Sequence, residues 1–524
     1  MSNPQSKIHI CSGVRLNPSY EHTIYFASAT AQQEYFAGKV VKTFPAYSFL
    51  RKSWNIKVEA TMEQAKTWTY LFFQNGTGKM YYYFITNIEY INDNTVELFL
   101  ELDVMQTYMF DYSLQRCFVE REHIADDTIG NNTLEENLDL GELTTFLDYK
   151  VDLNEMCILV MAAYNPSTTT ADFTDTVLAS NYNGIFSGLG IYAVNPSNWQ
   201  ALGVKLNDLT AKLDGIVSIW MYPKKLVTLA EGEQWEGDTT VTHKVSGVAN
   251  FNVIHERNER LSGGYNPRNN KLFCYPYNFL YVSNNLGSSA VFRYERFETE
   301  PQFKVCGALS PEGAVFLYPL EYNGRTLNTE EGITLTGFPT CAWNQDMYKL
   351  WLAQNQNTHN LTMASAGLSI VAGVGTMAVT GLSGVGAVAG AGMVVNGASQ
   401  IAGLMAQQKD MSIQPPQARG VHSASVNAVN GFQTFTFEKK TVDPYHASII
   451  DSYFDMYGYA THEVKVPNRN VRQNWTYTKT VGCHITGNLC TEDQQKIESV
   501  YNNGVTFWVN GDSIGDYSLS NNTL

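Results

Sequence analysis

Between Ser369 and Val395 the chain reads SIVAGVGTMAVTGLSGVGAVAGAGMVV, with no charge, no aromatic ring and no proline. Lys349 is the last fully charged residue before Lys409, and only His359 between them can carry charge. The wider span Leu361–Met405 is long enough for two membrane crossings, since one helical crossing needs about 20 residues. Its midpoint, Gly381–Gly386 (GLSGVG), bends or breaks a helix. That leaves two arms of near-spanning length, Leu361–Thr380 and Ala387–Met405. Gly386 and Gly390 have the spacing that lets two helices approach closely. Gly381 and Gly384 supply the bend.

The composition is unlike a permanent anchor. The apolar side chains are Leu361, Leu368, Ile370, Val371, Val374, Met377, Val379, Leu382, Val385, Val388, Met393, Val394, Val395, Ile401 and Leu404, diluted by Gly, Ala, Ser and Thr. Each Leu, Ile or Val gains only about 0.3–0.6 kcal/mol at a membrane centre, and small residues gain less. Each arm is therefore expected to insert marginally, so that it can be stored inside a soluble assembly and released. A core hairpin would use bulkier side chains, a linker would be polar, and a fixed anchor would carry more Leu and flanking Lys or Arg.

The rest of the chain reads as a soluble β protein. Charged residues make up 16% of its 524 positions, against roughly a quarter on average. The net charge is −15, with 35 Lys and Arg against 50 Asp and Glu. That balance argues against tight nucleic-acid binding, which needs cations for phosphates, yet it suits a surface past which DNA slides. The start, MSNPQSKIHICSG, lacks the apolar core of a signal peptide. Eight scattered cysteines contain no CxxC pair. Cys483 and Cys490, with His484 between them, lack zinc-site spacing, so reduced thiols and no metal are expected.

Lys79–Ile91 (KMYYYFITNIEYI), the turn Asn92–Asn94 and Thr95–Asp111 (TVELFLELDVMQTYMFD) read as a long β-hairpin. Val96, Leu98, Leu100, Leu102 and Val104 fall on one face; Glu97, Phe99, Glu101 and Asp103 fall on the other. Helical patterning appears at Thr61–Phe73, Pro444–Tyr459 and Thr491–Val505, the last opening with Thr491 as its cap. Asp126–Asn137 is a polar linker, and Leu143–Asn344 a β-rich stretch broken by turn clusters. The expected organisation is an N-terminal β tube domain over 1–140, a middle β domain over 141–345, the apolar loop over 346–412, and a C-terminal α+β segment over 413–524 that packs back on the first domain. The fold class is mainly β with minor α (α+β), with barrel- or sandwich-like domains.

No catalytic constellation emerges. GDSIG at Gly511–Gly515 imitates a hydrolase elbow, but no histidine follows it. GVGTMA at Gly373–Ala378 imitates a dinucleotide fingerprint, but no acid follows until Asp410. Glu120 and Glu122 would share a strand face, and His123, His446, His462 and His484 are dispersed. Neither an enzyme nor a cofactor is expected.

Phe84–Asp111 followed by FVEREH (Phe118–His123) resembles the tail-knob, or distal tail tube, proteins of φ29-like short-tailed bacteriophages. Leu16–Phe36 and Ile497–Trp508 carry the same resemblance. It implies a virion tail-tip protein, assembled in the bacterial cytoplasm, that joins other tail proteins as a homohexameric tube. Double-stranded DNA would pass without tight binding. It also implies that Leu361–Met405 plugs the lumen and later helps perforate the host cytoplasmic membrane. Six copies carry about −90 if their charges add, and Glu97, Glu101 and Asp103 are candidates for the channel lining. The alternative is a secreted pore-forming toxin with a concealed apolar hairpin, which the polar start disfavours. A cell-wall hydrolase lacks its catalytic residues.

Overall fold

The computed structural model describes residues 7–45, 55–162, 181–182, 185–186, 190–198, 201, 216–235, 242–257, 259–309, 313–323, 332–341, 344–345, 417–418 and 433–524. The chain divides into two compact units. One is built from Met1–Glu142, Arg260–Tyr277 and Val442–Leu524; the other from Leu143–Glu259 and Asn278–Thr441. Most of the described elements are strands.

In the first unit, a six-stranded sheet runs in the order Val40–Phe44, Ile8–Ser12, Trp68–Gln74, Met80–Asn92, Thr95–Leu102, Asn55–Glu59. It curls until its edges approach, where Lys42 Nζ donates to the Glu59 carbonyl at 2.6 Å. Strict alternation drives this sheet. Val96, Leu98 and Leu100 are buried on the concave side with Ile8, Ile10, Val58 and Leu71. The other side presents Tyr70, Phe72, Tyr82 and Phe84 to the helix Ala29–Ala37, α1, whose Phe36 stacks on Tyr70 at 5.1 Å. A second sheet closes over this aromatic layer, in the order His22–Ile24, Val505–Trp508, Trp475–Val481, Cys117–Glu122, Tyr459–Lys465. Trp475 and Trp508 meet at 5.1 Å within the same core.

Among the described residues the unit has four more α-helices: α2 (Met62–Ala65), α3 (Val104–Tyr108), α4 (Pro444–Tyr457) and α5 (Thr491–Asn503). Their caps explain their limits. Asp443 accepts from the backbone N–H of Tyr445 and His446 while Pro444 takes the first helical position. α4 stops at Gly458, whose φ is 64° and where a Cβ would lie 2.2 Å from the Glu122 carbonyl oxygen.

Three sequence expectations are corrected. The helical reading of Thr61–Phe73 yields only α2; the β-branched and aromatic run from Trp68 joins the sheet instead. The hairpin's return strand ends at Leu102, because Asp103 caps α3. At α5 the cap position is Cys490, and Thr491 is the first helical residue.

The first unit is completed only by the return of two distant segments. The Asp451 carboxylate, fully buried on α4, accepts from Tyr265 Oη at 2.9 Å, Arg268 N at 2.8 Å, Asn269 N at 3.1 Å and Asn269 Nδ2 at 2.8 Å. Glu136 takes Lys271, Arg121 and the Ala460 N–H. Asp127 accepts from the Tyr459 hydroxyl at 2.7 Å and Asn270 N at 3.2 Å. The segment Arg260–Tyr277 contains no strand, so these carboxylates stand in for ladder hydrogen bonds.

Among the described residues, the second unit has three larger sheets around one core that includes Leu159, Trp220, Val305, Leu317 and Phe437. One sheet pairs Met156–Ala162 between Gly190–Val194 and Ile216–Pro223; another is built on Phe297–Gly307 and Val315–Tyr322. The third has four strands and is described with the site below.

Replacing Asp451 with Ala leaves three backbone and side-chain N–H groups and one hydroxyl without their acceptor. The expected cost is about 3–5 kcal/mol in denaturant unfolding. Limited proteolysis should then cut first within residues 260–277. Asp451→Asn, which keeps an acceptor, should lose distinctly less.

Candidate functional site

The three acidic candidates do not form one face. Glu97 is half-exposed on the hairpin and accepts from Asn55 Nδ2 at 2.6 Å. It lies opposite Glu89 on one side and Lys57 on the other. Glu101 pairs with Lys496 Nζ of α5 at 2.5 Å, which neutralises it locally. Asp103 is 1% exposed and meets no surface of the unit, which corrects its place in the proposed lining. Its Oδ1 accepts the Gln106 N–H at 3.1 Å and its Oδ2 accepts the Tyr70 hydroxyl at 2.7 Å. The period-two pattern continues through Asp103 in the sequence, but the backbone turns helical there, so the face ends at Glu101.

Burial raises the Asp103 carboxyl to about 6, against the hydrogen bonds from Tyr70 and Gln106 that favour its ionised form. A raised carboxyl contributes stability that is fully present below its unfolded value near 3.8 and is lost as pH rises through 6. The same burial drives the Tyr70 hydroxyl well above its ordinary value, so it donates throughout this range.

The other titratable candidates are structural where described. Glu120 pairs with Lys479 at the surface, whereas Glu122 is fully buried against Lys465 and Asn468. They do not share a face, because irregular register on both sides of their strand breaks the alternation. His123 is buried, receives the Tyr477 N–H on Nδ1, and is held far below its usual range, near 3, chiefly by burial. His446 contacts its cap residue Asp443, His462 stacks on Phe118, and His484 pairs with Glu498. GDSIG is a short 3-10 turn. Among the described residues there is no cluster able to hold a metal ion, and no helix is long and apolar enough to cross a membrane.

Leu361–Met405, with Gly381, Gly384, Gly386 and Gly390, lies outside the described residues. Its neck does not. Asn344–Gln345 pairs antiparallel with Gln417–Ala418, Asn344 opposite Ala418 and Gln345 opposite Gln417. The excursion 346–416 therefore leaves and re-enters the second unit side by side.

One further surface has no signature in the sequence. The four-stranded sheet runs Leu143–Asp152, Thr434–Val442, Asn278–Ser283, Ser289–Phe292. Phe435, Phe437, Leu280, Val282 and Phe292 face the core. The open face carries Glu438, Lys440, Tyr281, Ser283, Ser289 and Thr145. Lys440 is held on this face: its Nζ donates to Thr145 Oγ1 at 3.0 Å, lies 3.7 Å from Glu438, and sits 4.8 Å from the Tyr281 ring centroid. Both outer strands are edges, each with a single neighbour among the described residues. Leu143–Asp152 is largely exposed and includes Phe146, Leu147 and Tyr149.

Comparison with known proteins gives these features a setting. Residues 4–113 match the family described as caudoviral major tail protein N-terminus. Residues 239–522 match the C-terminal domain of the Bacillus phage phi29 tail knob protein gp9. Tail knob protein gp9 of Bacillus phage B103 is 25% identical over 588 residues, covering 98% of each chain. That of phage phi29 is 23% identical over 593 residues, again covering 98% of each. The solved tail knob protein gp12 of bacteriophage C1 shares the fold, with a TM-score of 0.63 at 14% identity over 99% of this chain and 100% of its own. A β-rich fold with these matches defines a structural component of a bacteriophage tail. The chain belongs to the phi29 tail knob protein gp9 family, and its place is the virion tail.

The Asp103 site predicts a crossing in stability. Asp103→Asn keeps the cap and removes the buried charge, so at pH 8 it should match or exceed the parent, by up to roughly 3 kcal/mol. That advantage should shrink as pH falls from 7 to 5, because the parent regains stability there. Asp103→Ala should be destabilised at both ends of the range by about 1–3 kcal/mol. Thermal melts across pH read all three.

Proposed function

We propose that six copies of this chain form a tube that conducts the phage genome, and that the 346–416 excursions plug it until ejection and then help breach the host cytoplasmic membrane. The observation that carries this reading is the neck. An excursion whose two ends are paired at one point, and whose interior between Lys349 and Lys409 has no fully charged residue, can move as a unit without unravelling the sheet from which it springs. Within a tail knob protein, such a unit needs a place to hide from water, and a bore shared by sister copies provides one.

The four-stranded sheet supports the ring. A sheet with two different open edges adds copies head to tail, and such contacts close into rings when the rotation per copy permits. The packing then dictates which face looks inward. The core face carries the other two sheets of its unit, so turning that face inward would fill the bore. The open face, with Thr145, Tyr281, Ser283, Ser289 and the Glu438–Lys440 pair, is left to line it. Lys440 on this face is held by Glu438, Thr145 and a tyrosine ring, so it offers phosphates little purchase and DNA slides rather than sticks. Glu97 remains a second candidate for a DNA-facing charge, outside this sheet.

The test uses the full chain and a variant lacking residues 361–405. Both should assemble into rings by negative-stain microscopy. Dye-loaded liposomes should leak only with the full chain, after a release trigger such as mild denaturant. Val379→Asp should weaken leakage, since a charge at mid-membrane costs about 2.5–3.5 kcal/mol per inserted arm. Leakage by the deletion variant would defeat the membrane assignment; loss of rings in both proteins would defeat the tube.

A further inference from the structure

The strand Cys117–Glu122 and the strand Trp475–Val481 run antiparallel, with Phe118 opposite Val481. Past that pair the ladder continues: Gln115 N donates to the His484 carbonyl at 2.9 Å, and Leu114 lies opposite Ile485. Cys117 is thereby brought beside the Gly482–Cys483 corner. In a regular strand Cys483, one position off direct opposition, would point to the other face. Gly482 prevents this. Its φ of 66° turns the chain, and open space surrounds the position of its absent Cβ. The turn brings Cys483 back toward Cys117, and the two thiols lie close enough to influence one another. Directly opposed residues on antiparallel strands lie about 4.5–5.5 Å apart between Cα atoms; Cys483 is the residue next to the one opposite Cys117, which keeps the pair near the window of about 4.4–6.8 Å that a disulfide spans.

We propose that Cys117 and Cys483 form a structural dithiol that closes to a disulfide once the tail protein leaves the reducing cytoplasm. The oxidant is a small-molecule disulfide. One protein thiolate attacks it, forming a mixed disulfide and expelling one small thiol; the second protein thiolate then displaces the other. Two protein S–H groups and one R–S–S–R become one protein S–S bond and two R–S–H molecules, so electrons and protons balance. Virion proteins work outside the cell, where disulfides persist.

The two residues belong to different ends of the first unit. Cys117 follows its N-terminal sheet, and Cys483 precedes α5. All of the second unit lies between them in the sequence, so the bond would close a very long loop, where the gain from restricting the unfolded chain is greatest. Both thiols are buried, and burial pushes Cys483 up to about 12. Exchange therefore proceeds slowly through local opening, and the finished bond is shielded from reductants.

The experiment takes the full chain, purified with reductant, then desalted into oxidised glutathione. One arm stays native; the other is refolded from denaturant in the same buffer, which removes the access barrier. The expected result is loss of two of the eight thiols. Non-reducing peptide mapping should link the Cys117 peptide to the Cys483 peptide, and the melting temperature should rise by roughly 5 °C. Cys117→Ala and Cys483→Ala should each abolish the link and the rise. Retention of all eight thiols in both arms would overturn the proposal, as would a link from Cys483 to Cys490.

Discussion

Two buried carboxylates, Asp451 and Glu136, are the constraint on which the first unit depends. Its chain is interrupted twice, and the short returning segment Arg260–Tyr277 brings no strand with it. Hydrophobic burial alone cannot position such a segment, because burial is non-directional. The Asp451 carboxylate fixes its backbone at Arg268 and Asn269, and Glu136 fixes Lys271. Buried charges are costly unless fully paired; here the pairing converts that cost into a unique register. The thiol pair Cys117–Cys483 likewise joins parts of the chain that only folding brings together.

The second unit is arranged differently. Its core is continuous and apolar, and it leaves one sheet open on a face and at both edges. Long exposed edge strands are a liability in a monomer. Leu143–Asp152 exposes Phe146, Leu147 and Tyr149 without a covering element among the described residues. In the proposed ring that liability becomes the assembly rule. The same unit carries the neck Asn344–Gln345 and Gln417–Ala418, so the sheet proposed to line the bore and the excursion proposed to plug it spring from one core.

Much of this was readable from the residues. Period-two alternation placed Val96, Leu98 and Leu100 inward and Glu97 outward, and helical patterning marked α4 and α5. Local rules failed where a tertiary partner decided the outcome. Asp103 continues a strand pattern but becomes a helix cap because Tyr70, a distant neighbour in the sheet, donates to it. Trp68–Gln74 passes for helix until strands on both sides claim it. The contact of Cys117 with Cys483 and the roles of Asp451 and Glu136 join residues far apart in sequence, and no local pattern signals them. The open face of the four-stranded sheet is likewise invisible locally, since Tyr281, Glu438 and Thr145 come from three separated strands.

The account stands on one spatial claim: the apolar excursions share a bore lined by the open face of the four-stranded sheet. A cryo-electron microscopy reconstruction of the assembled, unejected protein reads this directly. The predicted map shows a closed ring, with Tyr281, Glu438 and Lys440 facing the axis and density for residues 361–405 within the lumen. A map in which those residues pack inside a single protomer, or in which the Tyr281 face lies on the outer wall, would contradict it.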